Sequence, residues 1–112
     1  MTARLDLSDD HRRIVLAILG EHLPGGAAVW VFGSRADGRA RPFSDLDLAI
    51  DAGRPLTLDE TARLREAFSD SDLPYRVDLV DRQAIGDDFR KLIDAGRVPL
   101  RVPAARQPSS GM

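Results

Sequence analysis

The spacing of hydrophobic residues along the chain predicts three full helices. They are expected over about residues 9–22, 57–69 and 84–95, where apolar side chains recur at the spacing of one helical face. Ser8 is a suitable N-cap for the first helix, and Thr57 with Glu60 has the form of a capping box at the start of the second. Gly96 is placed to end the third helix.

Short apolar runs rich in β-forming residues predict strands over residues 27–32, 46–51 and 75–80. A fourth candidate, residues 98–102, contains Pro99, which confines a strand to a sheet edge or makes the segment coil. The polar stretch 35–44 is broken by glycine and proline and indicates a short helical turn and a loop. The expected fold class is therefore α/β (α+β), with helices packed on a small mixed sheet.

Length and composition restrict the class of protein. The 112 residues fit one domain, expected over residues 1–102, and the Pro-, Ser- and Gly-rich stretch 103–112 indicates a flexible tail. No apolar run approaches the ~20 residues that a membrane span needs, and the absence of cysteine excludes disulfides and thiolate metal sites. We therefore expect a cytoplasmic protein without a membrane partner. The net charge of −2 argues against direct nucleic-acid binding through a broad basic face, but it does not exclude a nucleotide ligand.

Three aspartates in or beside predicted strands are the strongest sign of chemistry. In Asp45-Leu46-Asp47-Leu48, strand alternation puts both carboxylates on one sheet face, with Cα atoms ~7 Å apart. Asp78 lies in another predicted strand, and neighbouring strands are only about 4.8 Å apart, so all three side chains can converge. Three ionised carboxylates at about 5 Å would repel by roughly 3 kcal/mol per pair at an effective dielectric constant of about 20. Divalent cations would balance this charge, and oxygen ligands favour Mg²⁺ or Mn²⁺. The alternative is that these are solvated aspartates at strand edges.

Gly33-Ser34 follows the first predicted strand and precedes the aspartate pair by a ten-residue spacer. A turn of this kind exposes backbone N–H groups that can bind phosphate, and the dipole of the following helical turn would assist. A Gly-Ser pair after a strand is usually only a turn. Because two aspartates on a predicted strand follow nearby, a phosphate site is here favoured over a simple turn.

Other polar residues have simpler interpretations. Asp70-Ser71-Asp72 repeats the Asp-x-Asp spacing but follows a helix end, so a solvated loop is expected. His11 and His22 lack the spacing of a metal-binding pair on a helix. Arg76 is expected to pair at the surface. Trp30 is expected in the core, and strand-end aspartates at 51 and 81 receive no catalytic role.

Together, the motifs carry a family resemblance. A hydrophobic residue, Gly33-Ser34, the spacer, the Asp45/Asp47 pair and the later Asp78 resemble the signature of polymerase-beta-like nucleotidyltransferases. Residues 33–38, 44–48 and 73–81 are similar to the minimal nucleotidyltransferase (MNT) proteins of prokaryotes. The resemblance implies that Asp45 and Asp47 coordinate two metal ions on a nucleoside triphosphate and that Asp78 holds the metal that activates the acceptor hydroxyl. It also implies that Gly33 and Ser34 contact the phosphates.

Arg35 departs from the commonest family pattern, in which an aromatic residue often follows Gly-Ser. Its guanidinium is a candidate for a bidentate phosphate contact. A surface ion pair with Asp37 or another acid is an equal alternative.

The resemblance further implies a function. Family members transfer a nucleoside monophosphate, and MNT proteins are typically paired with helical HEPN toxins in toxin–antitoxin modules. We therefore expect an antitoxin that uses ATP and two Mg²⁺ ions, with Mn²⁺ as an alternative, to adenylylate a tyrosine of its partner in a hetero-oligomer. Two alternatives stay open: neutralisation of the toxin by binding alone, and a catalytic subunit acting on a small molecule of the aminoglycoside type.

Overall fold

The computed structural model describes residues 5–102, so the predicted tail over 103–112 lies outside the described residues. The helices are α1 (Asp9–His22), α2 (Ser34–Asp37), α3 (Leu58–Ser69) and α4 (Asp87–Gly96). The strands are β1 (Ala28–Phe32), β2 (Leu46–Asp51), β3 (Val77–Asp81) and β4 (Val98–Leu100). A 3₁₀ turn, Arg82–Ala84, connects β3 to the segment before α4.

The four strands form one mixed sheet in the order β3-β2-β1-β4. β1 pairs antiparallel with both β2 and β4, whereas β2 pairs parallel with β3. Pro99 lies in β4, which is an edge strand, as its missing N–H donor requires. The predicted fold class, helices on a small mixed sheet, is confirmed.

One face of the sheet carries the main core. Leu46, Leu48 and Ile50 of β2 are fully buried on this face, while the alternating Asp47 points to the other. Helices α1 and α3 cover the first face. The other core residues are Val15, Leu19, Leu23, Val29, Val31, Ala36, Leu64, Phe68, Tyr75 and Leu100.

Helix α4 lies over the opposite face, which also carries the polar residues of β2. Phe89 of α4 meets Phe32 of β1 edge to face, with ring centroids 6.3 Å apart. Ile93 is buried beneath the helix, and the Arg97 guanidinium lies 4.2 Å from the centroid of the Trp30 ring. The expectation that Trp30 is a core residue is therefore only half right, because an arginine covers its ring and it remains partly exposed.

The helix starts follow the predicted capping residues. Ser8 accepts a hydrogen bond from the His11 N–H, and the Thr57–Glu60 capping box is present in both directions. The third predicted helix begins later than expected, because Gly86 is its N-cap and a 3₁₀ turn precedes it. No helix within residues 5–102 is long and apolar enough to span a bilayer.

Candidate functional site

The register of the sheet brings the three singled-out aspartates to one end. Asp47 and Asp78 are direct neighbours in the parallel β2–β3 pair, about 4.8 Å apart at their Cα atoms as adjacent strands are. Their side chains point to the same face of the sheet. Asp45 lies one residue before β2. The three carboxylates therefore face one region, beside Phe32, which is the β1 neighbour of Asp47.

The electrostatics of this group, hereafter the site cluster (Asp45, Asp47 and Asp78), are those of crowded like charges. Burial, followed by the negative charges of Asp78 and Asp45, raises the pKa of Asp47 to about 6. Arg76, the residue before β3, has its Nε 3.9 Å from Asp78 Oδ1, and its side chain lies largely in solvent. The cluster therefore carries negative charge that the fold itself balances only weakly.

Gly33 allows the chain to pass close to this charge. Its φ of +76° lies in the region that favours glycine, and a Cβ added here would overlap Asp47 Oδ2 and lie 3.4 Å from Asp47 Cγ. Ser34 begins the short helix α2 directly after it. The Gly33-Ser34 turn therefore lies against the Asp47 carboxylate, as the spacing of the motif predicted.

Arg35 is buried, with only 5% of its surface exposed, and its guanidinium is used inside the fold. Nη1 donates to the Asp6 carbonyl at 3.1 Å, and Nη2 donates to the carbonyls of Pro42 (3.2 Å) and Ser44 (2.9 Å). The expectation that Arg35 binds a phosphate is corrected by these contacts. The alternative, a surface ion pair with Asp37 or another acid, is also wrong, because Arg35 is buried and makes no ion pair within residues 5–102. Asp37 pairs with Arg39 at 2.7 Å.

The contacts of Arg35 give it a positioning role. The carbonyls that it binds at residues 42 and 44 immediately precede Asp45, and its guanidinium lies 3.9 Å from the centroid of the Tyr75 ring, just before β3. One side chain therefore joins the segments that lead to Asp45 and Asp78. No pattern in the sequence indicates this role, because the hydrogen-bond partners are main-chain carbonyls and because Asp6 and Tyr75 are distant along the chain.

The carboxylate oxygens of the site cluster suit a hard divalent cation that also contacts the substrate. Among the described residues, no group of three or more His, Cys, Asp or Glu side chains is arranged so that it could hold a metal ion. Mg²⁺ is commonly held by only one or two carboxylates together with phosphate oxygens and water, so a pair of these aspartates with a bound phosphate would suffice. The observation that favours this fit is the pair of carboxylates on adjacent strands, Asp47 and Asp78, whose charge is met only by the 3.9 Å contact from Arg76.

The simpler interpretations of other polar residues are supported by their positions. His11 packs edge to face on Tyr75, with ring centroids 5.3 Å apart, and His22 lies 3.7 Å from the neighbouring Glu21. Asp70 and Asp72 are exposed. None of these four polar residues lies with the site cluster.

A second group of charges, the paired cluster (Asp51, Arg82, Asp94 and Arg97), lies at the other end of β2 and was missed in the sequence. Arg82 bridges Asp51 at 3.2 Å and Asp94 at 2.8 Å, and Arg97 also contacts Asp94 at 3.0 Å. These bonds join β2 to α4. Asp81, the last residue of β3, accepts a hydrogen bond from the Gln83 N–H and is the N-cap of the 3₁₀ turn.

Comparison with known proteins agrees with this arrangement. The family model described as polymerase beta, nucleotidyltransferase matches residues 18–98. A Haemophilus influenzae protein named probable protein adenylyltransferase MntA is 48% identical over 91 residues, which cover 81% of this chain and 79% of that protein. A solved structure described as a minimal nucleotidyltransferase is 35% identical, with a TM-score of 0.62, over 81% of this chain and 90% of its own.

A toxin–antitoxin crystal structure with AMP-PNP also shares the fold, with a TM-score of 0.70 and 23% identity over 82% of this chain and 73% of that chain. The chain belongs to the polymerase beta nucleotidyltransferase family. The resemblance to this family and the expected enzyme class are thereby confirmed.

Proposed function

We propose that this protein is the antitoxin of a toxin–antitoxin pair and that it transfers AMP from ATP to a tyrosine of its partner toxin. The observation that carries the proposal is the convergence of Asp45, Asp47 and Asp78 beside the Gly33-Ser34 turn. A carboxylate group next to a phosphate-binding turn suits transfer at phosphorus.

In the proposed reaction, the tyrosine hydroxyl oxygen forms a bond to the α-phosphorus of ATP. The bond from that phosphorus to the oxygen bridging to the β-phosphate breaks, pyrophosphate leaves with those electrons, and the hydroxyl proton passes to water. Two divalent ions, Mg²⁺ or alternatively Mn²⁺, would neutralise the phosphates and the attacking oxygen when bound.

The residues of the chain have distinct parts in this proposal. Asp45 and Asp47 hold metal and orient the triphosphate, and Asp78 holds metal on the side of the acceptor. Gly33 and Ser34 hold the phosphates through their backbone. Divalent-metal use is general in the family, and the proposal of two ions rests on the resemblance to that family.

The partner belongs to the same proposal. The similarity to a protein named as a probable protein adenylyltransferase favours a protein acceptor, and the fold is shared with a chain of a toxin–antitoxin structure. We propose a helical HEPN toxin as that partner, in a hetero-oligomer located in the cytoplasm.

The test is to incubate the purified protein with ATP, Mg²⁺ and the protein encoded beside it, and to measure intact masses. We expect the partner to gain the mass of AMP less water. The Asp45→Asn/Asp47→Asn variant should give no adduct, whereas Asp70→Asn/Asp72→Asn, a matched pair with the same spacing in an exposed loop, should act as the wild type.

Two results would contradict the proposal. The first is that the wild type gives no adduct while the Asp45→Asn/Asp47→Asn variant still neutralises the toxin, which would indicate inhibition by binding alone. The second is transfer to an aminoglycoside in place of the protein, which would indicate a small-molecule enzyme.

A further inference from the structure

The outer edge of β3 borders a groove in which the proposed reaction gives a role to Asp78 alone. The groove has a volume of about 600 Å³ and lies between α3 and the segment 75–79. Its apolar part is formed by Phe68, Leu73 and Leu79. Within residues 5–102, no strand pairs with this side of β3, which is the edge of the sheet. Most of the groove therefore runs along a strand edge that is not paired with another strand.

The backbone of β3 has free hydrogen-bonding groups along this groove. The Leu46 N–H donates to the Arg76 carbonyl at 2.9 Å, so that carbonyl faces β2. The N–H and C=O groups of one residue in a strand face one side, and those of the next residue face the opposite side. The N–H and C=O groups of Val77 and Leu79 therefore face away from β2, along the groove. Such an edge is a template for an added strand.

The positive charge of the groove favours an added strand that carries acidic residues. Arg65 of α3 and Arg76 both line it. Arg65 is exposed and, among the described residues, makes no ion pair, while Arg76 has only its 3.9 Å contact with Asp78. An extended segment that alternates acidic and apolar residues would complement both arginines and the apolar part. A second copy of this chain would instead bring the same arginines together from both sides.

We propose that the open edge of β3 binds an extended acidic segment of the protein acceptor by strand addition. This inference rests on the proposed function, because Asp78 lines the same groove and belongs to the site cluster. A segment paired with Val77 and Leu79 lies alongside Asp78. Strand addition therefore places the acceptor hydroxyl beside the Asp78 carboxylate, where the nucleotide is proposed to bind.

The first experiment does not depend on catalysis. Amide hydrogen exchange is followed by NMR with an acetylated octapeptide of alternating glutamate and valine as the probe. We expect exchange to slow by about tenfold or more at Val77 and Leu79, with no further slowing at Asp78, whose N–H faces β2. The same peptide with lysine in place of glutamate should have no effect. Unchanged exchange at Val77 and Leu79 would overturn the inference.

The second experiment measures adenylyl transfer to the partner toxin. Arg65→Glu should raise the KM for the acceptor protein about tenfold, with kcat and the KM for ATP unchanged. Arg63→Glu is the matched control, because this residue lies on α3 but outside the groove, and it should change none of the three.

The outcomes separate the two proposals. If the wild type forms no adduct but the peptide still protects Val77 and Leu79, the proposed function fails and the strand-binding edge remains. If the adduct forms with the same KM in Arg65→Glu, the inference is wrong and the proposed function remains. Protection of the same amides by raised concentration of the chain alone would show pairing between two copies and would also overturn it.

Discussion

Both ends of strand β2 carry aspartates, and the two ends differ in how the charge is balanced. At the end of the strand, hydrogen bonds from Gln83, the Gly53 N–H and Arg82 hold the pKa of Asp51 below its usual value. At the start, burial and the neighbouring carboxylates raise the pKa of Asp47 to about 6. The fold supplies its own cations to the paired cluster and leaves the site cluster to be neutralised by something it binds.

The largest expected effect separates these two ends. Asp47→Asn should lower the rate of nucleotidyl transfer by about a thousandfold or more, because the residue is proposed to hold metal. Asp51→Asn, at the other end of the same strand, should leave the rate within about threefold. Steady-state transfer with matched protein concentrations measures both. Equal losses in the two variants would mean that the difference in charge balance has no bearing on catalysis.

A large effect on stability is expected at Arg35. Arg35→Ala removes the donors to three carbonyls and leaves a buried gap beside Tyr75, so we expect a loss of about 3 kcal/mol in the free energy of unfolding. Urea denaturation measures this. Arg39→Ala, at an exposed ion pair, is the control and should leave the free energy of unfolding nearly unchanged. Loss of transfer in Arg35→Ala without loss of stability would favour a direct contact with substrate.

Removal of the central cation of the paired cluster should cost less. Arg82 is about one-fifth exposed and bridges Asp51 and Asp94, and Arg82→Ala leaves both carboxylates with fewer partners. We expect a loss of about 1 to 2 kcal/mol in the free energy of unfolding. The loss should shrink as pH falls and these carboxylates become protonated, since their pKa values are lowered in the folded protein. A loss of constant size from pH 3 to 7 would show that packing, and not charge, is the cause.

The smallest expected effect is a pH-dependent difference in stability between Asp47→Asn and the wild type without metal. Because the pKa of Asp47 is raised on folding, ionisation of this group costs stability as pH rises from about 4 through about 6. Asp47→Asn avoids that cost. The variant should therefore be more stable than the wild type by about 1 kcal/mol at pH 8, after allowance for solvent screening, with little difference near pH 4. Chemical denaturation in the presence of a chelator checks the trend, and the opposite trend would mean that Asp47 is stabilised as an anion.

Local patterns made much of the fold predictable. The bounds of β2 and the capping box of α3 follow from alternation and from residues three apart. The start of β3 was expected at residue 75 but lies at Val77, because Tyr75 packs into the core against Arg35. That contact joins residues forty positions apart, which no local pattern reveals.

The site shows the same difference between what local patterns reveal and what distant contacts decide. Asp45, Asp47 and Asp78 were predictable because isolated carboxylates among apolar strand residues are unusual. The true role of Arg35 and the existence of the paired cluster were not, because both depend on which distant segments the fold brings into contact. Exposed Phe43, just before Asp45, is a further apolar residue near the site that the sequence did not single out.

The central claim is that the site cluster and the Gly33-Ser34 turn together bind a divalent ion with a nucleoside triphosphate. Calorimetric titration at pH 8 with a non-hydrolysable ATP analogue, with and without Mg²⁺, tests it most directly. We predict Mg²⁺-dependent binding to the wild type and to Asp70→Asn/Asp72→Asn, and none to Asp45→Asn/Asp47→Asn. Equal binding to all three proteins, or binding that does not depend on the metal, would contradict the claim.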